Sequence, residues 1–374
     1  MPPRDLIVVG GSAGSLEAIT RVASGLPDDL SATLVVVIHT SPDSPRVLPE
    51  LIGRSSAFQA GYARDGERLS YGRILVAPPD QHVIVENDVV RLTRGPRENR
   101  FRPSVDTLFR TAAASHGDRV IGVVLSGMLN DGTHGLLAIK RGGGVAIVQH
   151  ASDALYPSMP LSAIANVPVD HVARVDEIPA LLAEHVRNGA RPGGAKMARK
   201  DVAGKENAAF DGNGNGDERE LGAPAAYACP DCGGALWELE EPGLLRFRCR
   251  VGHGYTDQSL LTAQDENLED ALWTALRALE ETAALRRRLA GRMADHAARG
   301  GRDGLEAIAT GYVERAEDAE ARARVIRSVL ERSDSDKIGA LLNGASPKKA
   351  AARRRAKPSR NAALGARDRT KHSA

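Results

Sequence analysis

Apolar positions over residues 5–186 fall into two kinds of segment that alternate along the chain. LIVVG (6–10), ATLVVVIH (32–39), DRVIGVVLSG (118–127) and GVAIVQ (144–149) are short, largely β-branched and apolar at successive positions. That pattern predicts strands covered on both faces. YGRILVAPP (71–79) and HVIVENDVVRLT (82–93) predict shorter strands, the second as a hairpin around Glu86-Asn87-Asp88. Between them, SLEAITRVASGL (15–26), SVDTLFRTAAASHG (104–117), GLLAIKRGGG (135–144) and EIPALLAEHV (177–186) carry apolar residues at helical spacing. Strands alternating with helices of about ten residues or more predict βαβ units, hence an α/β fold with a doubly wound, mostly parallel sheet and helices on both faces.

After Arg187 the periodicity dissolves into NGARPGGAK and DGNGNGDERE, which is linker composition. A compact cysteine-bearing module follows, and then two helical stretches. Leu268, Leu272, Leu276, Leu279 and Ala283 step by three and four, as do Ile308, Tyr312, Ala316, Ala319, Ala323, Ile326 and Leu330. AARGGRDG (297–304) separates them, which predicts an antiparallel helical hairpin. The expected organisation is an α/β domain over 1–187, a flexible linker over 188–224, a zinc-ribbon-like module over 225–256, a helical hairpin over 257–335 and a basic disordered tail over 336–374.

Composition refines this picture. The 374 residues are 42% hydrophobic but only 3% aromatic, so the core must be aliphatic. No apolar run reaches the roughly 18 residues needed to span a bilayer, and the start lacks a basic region followed by an apolar one. A soluble cytoplasmic protein is expected. Net charge is +2, yet residues 347–374 hold ten Lys/Arg against one acid, giving +9 there and −7 over the rest. The tail can meet anionic surfaces such as acidic lipid or nucleic acid. It has no aromatic residue for stacking, and the acidic body argues against a nucleic-acid-binding function for the whole.

The turn after the first strand, GGSAG (10–14), raises two chemistries. A dinucleotide or P-loop fingerprint fails, because the third and sixth positions from Gly10 are Ser12 and Ser15 and no Lys-Ser/Thr follows. G-x-S-x-G does fit, and it lifts a serine hydroxyl onto a tight strand-to-helix turn beside free N–H groups. Ser12 is therefore a candidate nucleophile, or else a serine that merely caps the helix. A nucleophile needs a base, and His39 ends the next strand, where neighbouring parallel strands would bring the two to one sheet edge. Asp131 lies just past a third strand, where open α/β sheets build their sites, although Asp-Gly is also an ordinary turn. The order Ser, His, Asp matches no familiar triad order and argues against a lipase-like enzyme.

GGSAGS with Ser12, VIHTSP with His39, FRPSVDTLF (101–109), SGMLNDG with Asp131 and SMPLSAI (158–164) together resemble the catalytic domain of the chemotaxis protein-glutamate methylesterase (CheB) family, over roughly residues 4–186. The resemblance implies a cofactor-free hydrolase of receptor glutamyl methyl esters with related glutamine deamidation. In it Ser12 would be nucleophile, His39 base and Asp131 the orienting acid, with backbone N–H groups near Ala13 and Met128 as oxyanion donors. It also implies methyl-accepting chemotaxis receptors, or similar signalling proteins, as partners, and a receptor methyltransferase as the opposing activity. The family's usual Ser-Thr step is Ser12-Ala13 here. Only a few residues precede the first strand, so the family's receiver domain is expected to be missing.

All three cysteines lie in one short stretch. Cys229 and Cys232 form C-x₂-C, and Cys249 follows with His253 four positions on. Cys₃His is a complete tetrahedral set for structural Zn²⁺. Glu238, Glu240 and Glu241 beside it favour a protein partner over nucleic acid. Against the esterase stands a second reading, a non-catalytic signalling scaffold that uses the esterase-like domain and the C-terminal modules for binding.

Overall fold

A computed structural model describes residues 3–189, 222–241, 244–299 and 304–342. The linker expected over 188–224 and the tail expected over 336–374 lie largely outside them. The chain divides into two units, residues 1–264 and 265–374.

In the first unit, β1 (Leu6–Gly11), β2 (Thr33–Ile38), β3 (Gln59–Tyr62), β5 (Arg73–Val76), β8 (Val120–Val124), β9 (Val145–Gln149) and β10 (His171–Ala173) form one seven-stranded sheet in the order β10-β9-β8-β1-β2-β5-β3. Every pairing in it is parallel. Alternate residues feed two cores. Ile7, Val9, Leu34, Val36, Ile121 and Val123 pack with α1 (Ser15–Ser24), α2 (Leu48–Gly53) and α6 (Ile178–Asn188). Leu6, Val8, Val35, Val37, Val120 and Val124 pack with α3 (Val105–His116), α4 (Thr133–Arg141) and α5 (Ser158–Asn166). A strand sandwiched in this way has no polar face to show, which is why its sequence reads as an unbroken apolar run. The short β4 (Glu67–Arg68) pairs antiparallel with β7 (Val89–Thr93), which also pairs antiparallel with β6 (His82–Glu86). The turn between β6 and β7 holds Asn87 and Asp88 at φ 48° and 62°, values that these side chains tolerate better than most.

The chain crosses from β5 and the β4/β6/β7 hairpin to β8 on the other side of β1, so the strand order reverses there. The crevice beyond the carboxyl ends of β1, β2 and β8 is where such a sheet places a site.

Residues 222–264 belong to the same unit. β11 (Ala223–Ala228), β12 (Ala235–Glu241), β13 (Leu244–Cys249) and β14 (Gly254–Thr256) make a four-stranded antiparallel sheet. Cys229, Leu236, Phe247, Cys249 and Tyr255 bury against Leu260 and Ala263 from the start of α7 (Asp257–Ala298).

In the second unit, α7 pairs antiparallel with α8 (Leu305–Leu342). Leu276 meets Ala323 and Leu330, and Ala283 meets Ala316 and Ala319. Arg287 pairs with Glu320 at 2.7 Å, and Arg327 with Glu280. Two members of the apolar stepping, Leu268 and Ile308, are 60% and 48% exposed, so the seam is shorter than the stepping suggests. Among the described residues no helix is long and apolar enough to cross a membrane.

Candidate functional site

Ser12 and His39 stand one residue beyond β1 and β2, whose parallel register pairs Gly11 with Ile38. The His39 N–H donates to Gly11 O at 3.2 Å, and the Ser12 N–H donates to Ser126 O at 2.9 Å. The serine is thereby pinned between the ends of β2 and β8. Gly14 takes φ 72°, the left-handed conformation the tight turn needs before α1 begins. Gly127 is required for another reason. A Cβ there would sit 2.9 Å from Ser12 Cβ and 2.1 Å from Met159 Sδ, so the β8 loop can approach the serine only as glycine.

Asp131 is 1% exposed and accepts hydrogen bonds from six groups. Its Oδ2 accepts from His39 Nε2 and the Val105 N–H, both at 2.7 Å. Its Oδ1 accepts from Asn99 Nδ2 at 2.9 Å, Ser104 Oγ at 3.0 Å, and the Asp106 and Gly132 N–H groups at 3.1 Å each. The carboxylate thus caps the first turn of α3 from a different loop, with the positive end of that helix directed at it. Burial alone would push the Asp131 carboxyl up; the hydrogen bonds from His39, Asn99 and the Val105 N–H bring it below the ordinary value. Its neighbour Asp106 is driven the opposite way, well above the ordinary carboxylate range, by burial and then by the charge on Asp131.

An ionised Asp131 accepts, so His39 Nε2 carries the proton and Nδ1 keeps the lone pair. Nδ1 is buried without a hydrogen-bond partner among the described residues. Phe101 stacks on the imidazole with centroids 3.7 Å apart and planes within 11°. The ring is therefore fixed in plane by an aromatic face and in rotation by a carboxylate, with a bare base as its remaining nitrogen. His39 and Asp131 are in direct contact, and Ser12 is joined to them through backbone. No hydrogen bond links Ser12 Oγ to the His39 ring here.

Ala13 lies in the turn after Ser12, and its carbonyl accepts from Ser126 Oγ at 2.8 Å. Met128 lies in the β8–α4 loop, 48% exposed. Their amides are at the ends of adjacent strands. Among the described residues neither amide donates to a backbone carbonyl outside the helices and strands.

The loop between β7 and α3, with the first turn of α3, adds residues that sequence reasoning did not single out: Glu98, Asn99, Phe101 and Ser104 from the loop and Asp106 from the helix. Asn99 Nδ2 bridges Asp131 Oδ1 at 2.9 Å and Asp106 Oδ2 at 2.8 Å. Glu98, 2% exposed, accepts from Arg110 at 2.6 and 2.7 Å, from Thr107 at 3.0 Å and from Arg246 of β13 at 2.5 Å. Burial would raise its carboxyl, but the Arg110 and Arg246 charges hold it well below the ordinary value. FRPSVDTLF marked this region as a motif, but the polar ENR before it carries no periodicity that would single out Asn99.

Cys229, Cys232, Cys249 and His253 are also brought together, their ligand atoms all within 4.8 Å of one another. Cys232 Sγ lies 3.7 Å from Cys249 Sγ, and His253 Nδ1 lies 3.7 Å from Cys229 Sγ and 3.5 Å from Cys249 Sγ. A tetrahedron with Zn–S of about 2.3 Å and Zn–N of about 2.0–2.1 Å has S···S edges of about 3.8 Å and S···N edges of about 3.6 Å. Burial, with the Cys229 charge, pushes the Cys249 thiol up to about 12. The donor set fits Zn²⁺ in size and chemistry. All four positions are filled by protein, which leaves none for a substrate.

The family model described as CheB methylesterase matches residues 7–182. A protein of Anaeromyxobacter dehalogenans named protein-glutamate methylesterase/protein-glutamine glutaminase 2 is 37% identical over 183 residues, 49% of this chain and 54% of the relative. A protein of Leptospira interrogans, given the methylesterase/glutaminase name provisionally, is 35% identical over 178 residues, 47% of this chain and 92% of the relative. The crystal structure of the Thermotoga maritima CheB methylesterase catalytic domain is similar at 30% identity and TM-score 0.47, covering 48% of this chain and 97% of that one. The chain thus spans about half the length of the Anaeromyxobacter relative and nearly all of the Leptospira one.

Proposed function

The chain belongs to the CheB methylesterase family, and from that premise we propose that its α/β domain, residues 1–187, hydrolyses glutamyl methyl esters on methyl-accepting receptors or related signalling proteins, with side-chain amides of glutamine as a second substrate class. The observation that carries the reading is the unpartnered lone pair of His39 Nδ1, on a ring whose other nitrogen is held by Asp131 at 2.7 Å. His39 Nδ1 takes the proton of Ser12 Oγ as that oxygen attacks the ester carbonyl. The Ala13 and Met128 N–H groups receive the developing oxyanion. The tetrahedral intermediate collapses, the C–O bond to methoxide breaks, and His39 returns its proton so that methanol leaves. Water, deprotonated by the same nitrogen, then cleaves the acyl-Ser12 ester and regenerates the carboxylate. With glutamine, ammonia leaves in place of methanol. Asp131 stays ionised throughout and offsets the imidazolium charge.

In this reading the work is done in the cytoplasm, with a receptor methyltransferase opposing it. Cys229, Cys232, Cys249 and His253 hold one structural Zn²⁺ in this reading, and catalysis needs no cofactor.

The test is methanol release from methylated receptor by the full chain. Ser12→Ala is expected to lower kcat by about 10⁴–10⁶ with the fold intact. Equal rates without Ser12 would refute the mechanism. A wild type that releases no methanol but binds receptor would favour the scaffold.

A further inference from the structure

The turn Glu98–Phe101 is closed by two backbone hydrogen bonds, 3.2 Å from the Glu98 N–H to Phe101 O and 3.0 Å from the Phe101 N–H to Glu98 O. Its central residues, Asn99 and Arg100, take φ 51° and 75°. Neither is glycine, so this conformation persists because its surroundings impose it. Those surroundings come from two sides.

On one side is the Cys₃His module. The Asn99 N–H donates to Gly254 O at 2.8 Å, and the Gly254 N–H donates to Arg97 O at 3.2 Å. Asn99 Oδ1 accepts from the Thr256 N–H at 3.2 Å and from Ser259 Oγ at 3.3 Å. Thr256 Oγ1 donates to Asn130 Oδ1, next in sequence to Asp131, at 2.9 Å. On the other side are the carboxyls, with Asn99 Nδ2 on both Asp131 and Asp106. The amide orientation is forced, since the Thr256 N–H needs an acceptor and the ionised Asp131 needs a donor. Every hydrogen-bonding group of the Asn99 side chain is used, half toward the module and half toward the candidate site.

Gly254 follows the candidate ligand His253 directly. The Cys249 N–H donates to His253 O at 3.0 Å, so the turn that presents Cys249 and His253 is the turn that aims β14 at Asn99. Two residues further along the same loop, Phe101 stacks on His39.

We propose that Asn99 is a positioning residue for the Asp131–His39 pair, and that the Cys₃His module holds it in place, so that metal binding in the module sets the activity of the site. This rests on the esterase reading above. With the Cys249–His253 turn formed, Gly254 and Thr256 fix Asn99, Asn99 fixes the Asp131 carboxylate, and Phe101 keeps the imidazole in plane. With the Cys249–His253 turn open, the Glu98–Phe101 turn loses its outer hydrogen bonds and relaxes. The module then serves as an internal metal-dependent activator.

The experiment uses the full chain with Zn²⁺ present, with Zn²⁺ removed by a chelator, and with Zn²⁺ restored. Asn99→Gly removes the side chain and keeps the left-handed backbone. Thr256→Val removes one module-side hydroxyl at constant shape and serves should Asn99→Gly fold poorly. Asn99→Gly is expected to lower kcat about 10–100-fold, the size seen for supporting partners, with KM within about twofold. The acid limb of kcat/KM should move to higher pH, because Asp131 loses a donor that stabilises its ionised form. Zinc removal from wild type should give a loss of the same size and the same limb shift, reversed by zinc. In Asn99→Gly zinc removal should add less than about twofold, since the two changes act through one group. Thr256→Val should move kcat and the limb in the same direction by less. Independently of turnover, amide hydrogen exchange over residues 97–101 should accelerate on zinc removal while β1 and β2 stay protected.

Unchanged kcat and unchanged loop exchange after zinc removal would overturn the proposal, as would losses that multiply in Asn99→Gly. Lost protection throughout β1 and β2 would overturn it too, for the module would then be supporting the whole fold. A wild type without esterase activity would instead defeat the functional reading, and loop exchange would still decide the coupling.

Discussion

Asp131→Asn alters one atom of the site and inverts its logic. Six donors converge on Asp131, four at Oδ1 and two at Oδ2. Asparagine offers one oxygen. Its least costly placement keeps that oxygen at the Oδ1 position, facing Asn99, Ser104 and the two amides. The NH₂ then faces the Val105 N–H and His39 Nε2. Val105 is left without an acceptor inside a closed site, which costs about 1–3 kcal/mol, and the four remaining bonds lose their charge assistance. A total of about 2–5 kcal/mol lies within the 5–15 kcal/mol of an ordinary domain, so the variant folds with a lowered Tm. His39 can meet an NH₂ only by accepting at Nε2, which moves its proton to Nδ1 and removes the base from the face that Ser12 needs. A wrong tautomer costs about 10⁴ in kcat, or about 5.5 kcal/mol of transition-state stabilisation. The assay is methanol release at saturating methylated receptor, with Tm measured on the same preparation. KM should change little, because Asp131 is buried. A kcat within tenfold of wild type, in a folded variant, would refute both the tautomer assignment and the role of Nδ1.

Metal analysis of chain purified without chelator should find one zinc per chain, and Cys249→Ser should abolish it; no zinc in the wild type would end the structural-zinc reading. Glu98→Gln keeps shape but removes the carboxylate charge that pairs with the buried Arg110 and Arg246 guanidinium groups. Breaking such a pair costs about 3–5 kcal/mol, a Tm loss of about 6–20 °C by calorimetry, and a change under 2 °C would show that the pair is compensated elsewhere. The pH dependence has two opposed slopes. Asp106, raised in the folded state, binds a proton there more readily than when unfolded, so stability rises as pH falls toward about 4. Glu98, held well below its ordinary value, contributes stability above about pH 4.3 that is lost as pH falls further. Chemical unfolding against pH should therefore show a maximum on the acid side of neutrality and a fall below about pH 4 that Glu98→Gln flattens; an unchanged fall in that variant would assign it to other carboxylates.

The sheet was legible because its strands are buried on both faces. An apolar run is the direct record of that burial, and LIVVG became β1 with every residue covered. The short elements α2, β3, β4, α5 and β10 were not read, since two to nine residues hold too few periods to register. Ser12, His39 and Asp131 could be singled out as candidates because each follows a readable strand. Asn99 and Glu98 follow no such marker. Their importance lies in what they touch, and Arg246 is 148 residues away from Glu98 in sequence. Periodicity reports which side of an element avoids water, and nothing in it names a partner. LLRFRC shows the difference plainly. Alternation along β13 sets Phe247 and Cys249 on one face and Arg246 and Arg248 on the other, and the usual rule turns the charged face to solvent. In the folded chain Arg246 is 2% exposed and Arg248 is 4% exposed, whereas Leu245 is 40% exposed. The charged face is buried because a carboxylate on the β7–α3 loop lies opposite it, and a guanidinium enters a low-dielectric site only where its counter-charge is already fixed. The loop that supplies Glu98 also supplies Asn99 to Asp131 and Phe101 to His39. The burial of one arginine against the expected pattern therefore places the cysteine module against the loop that shapes the candidate site.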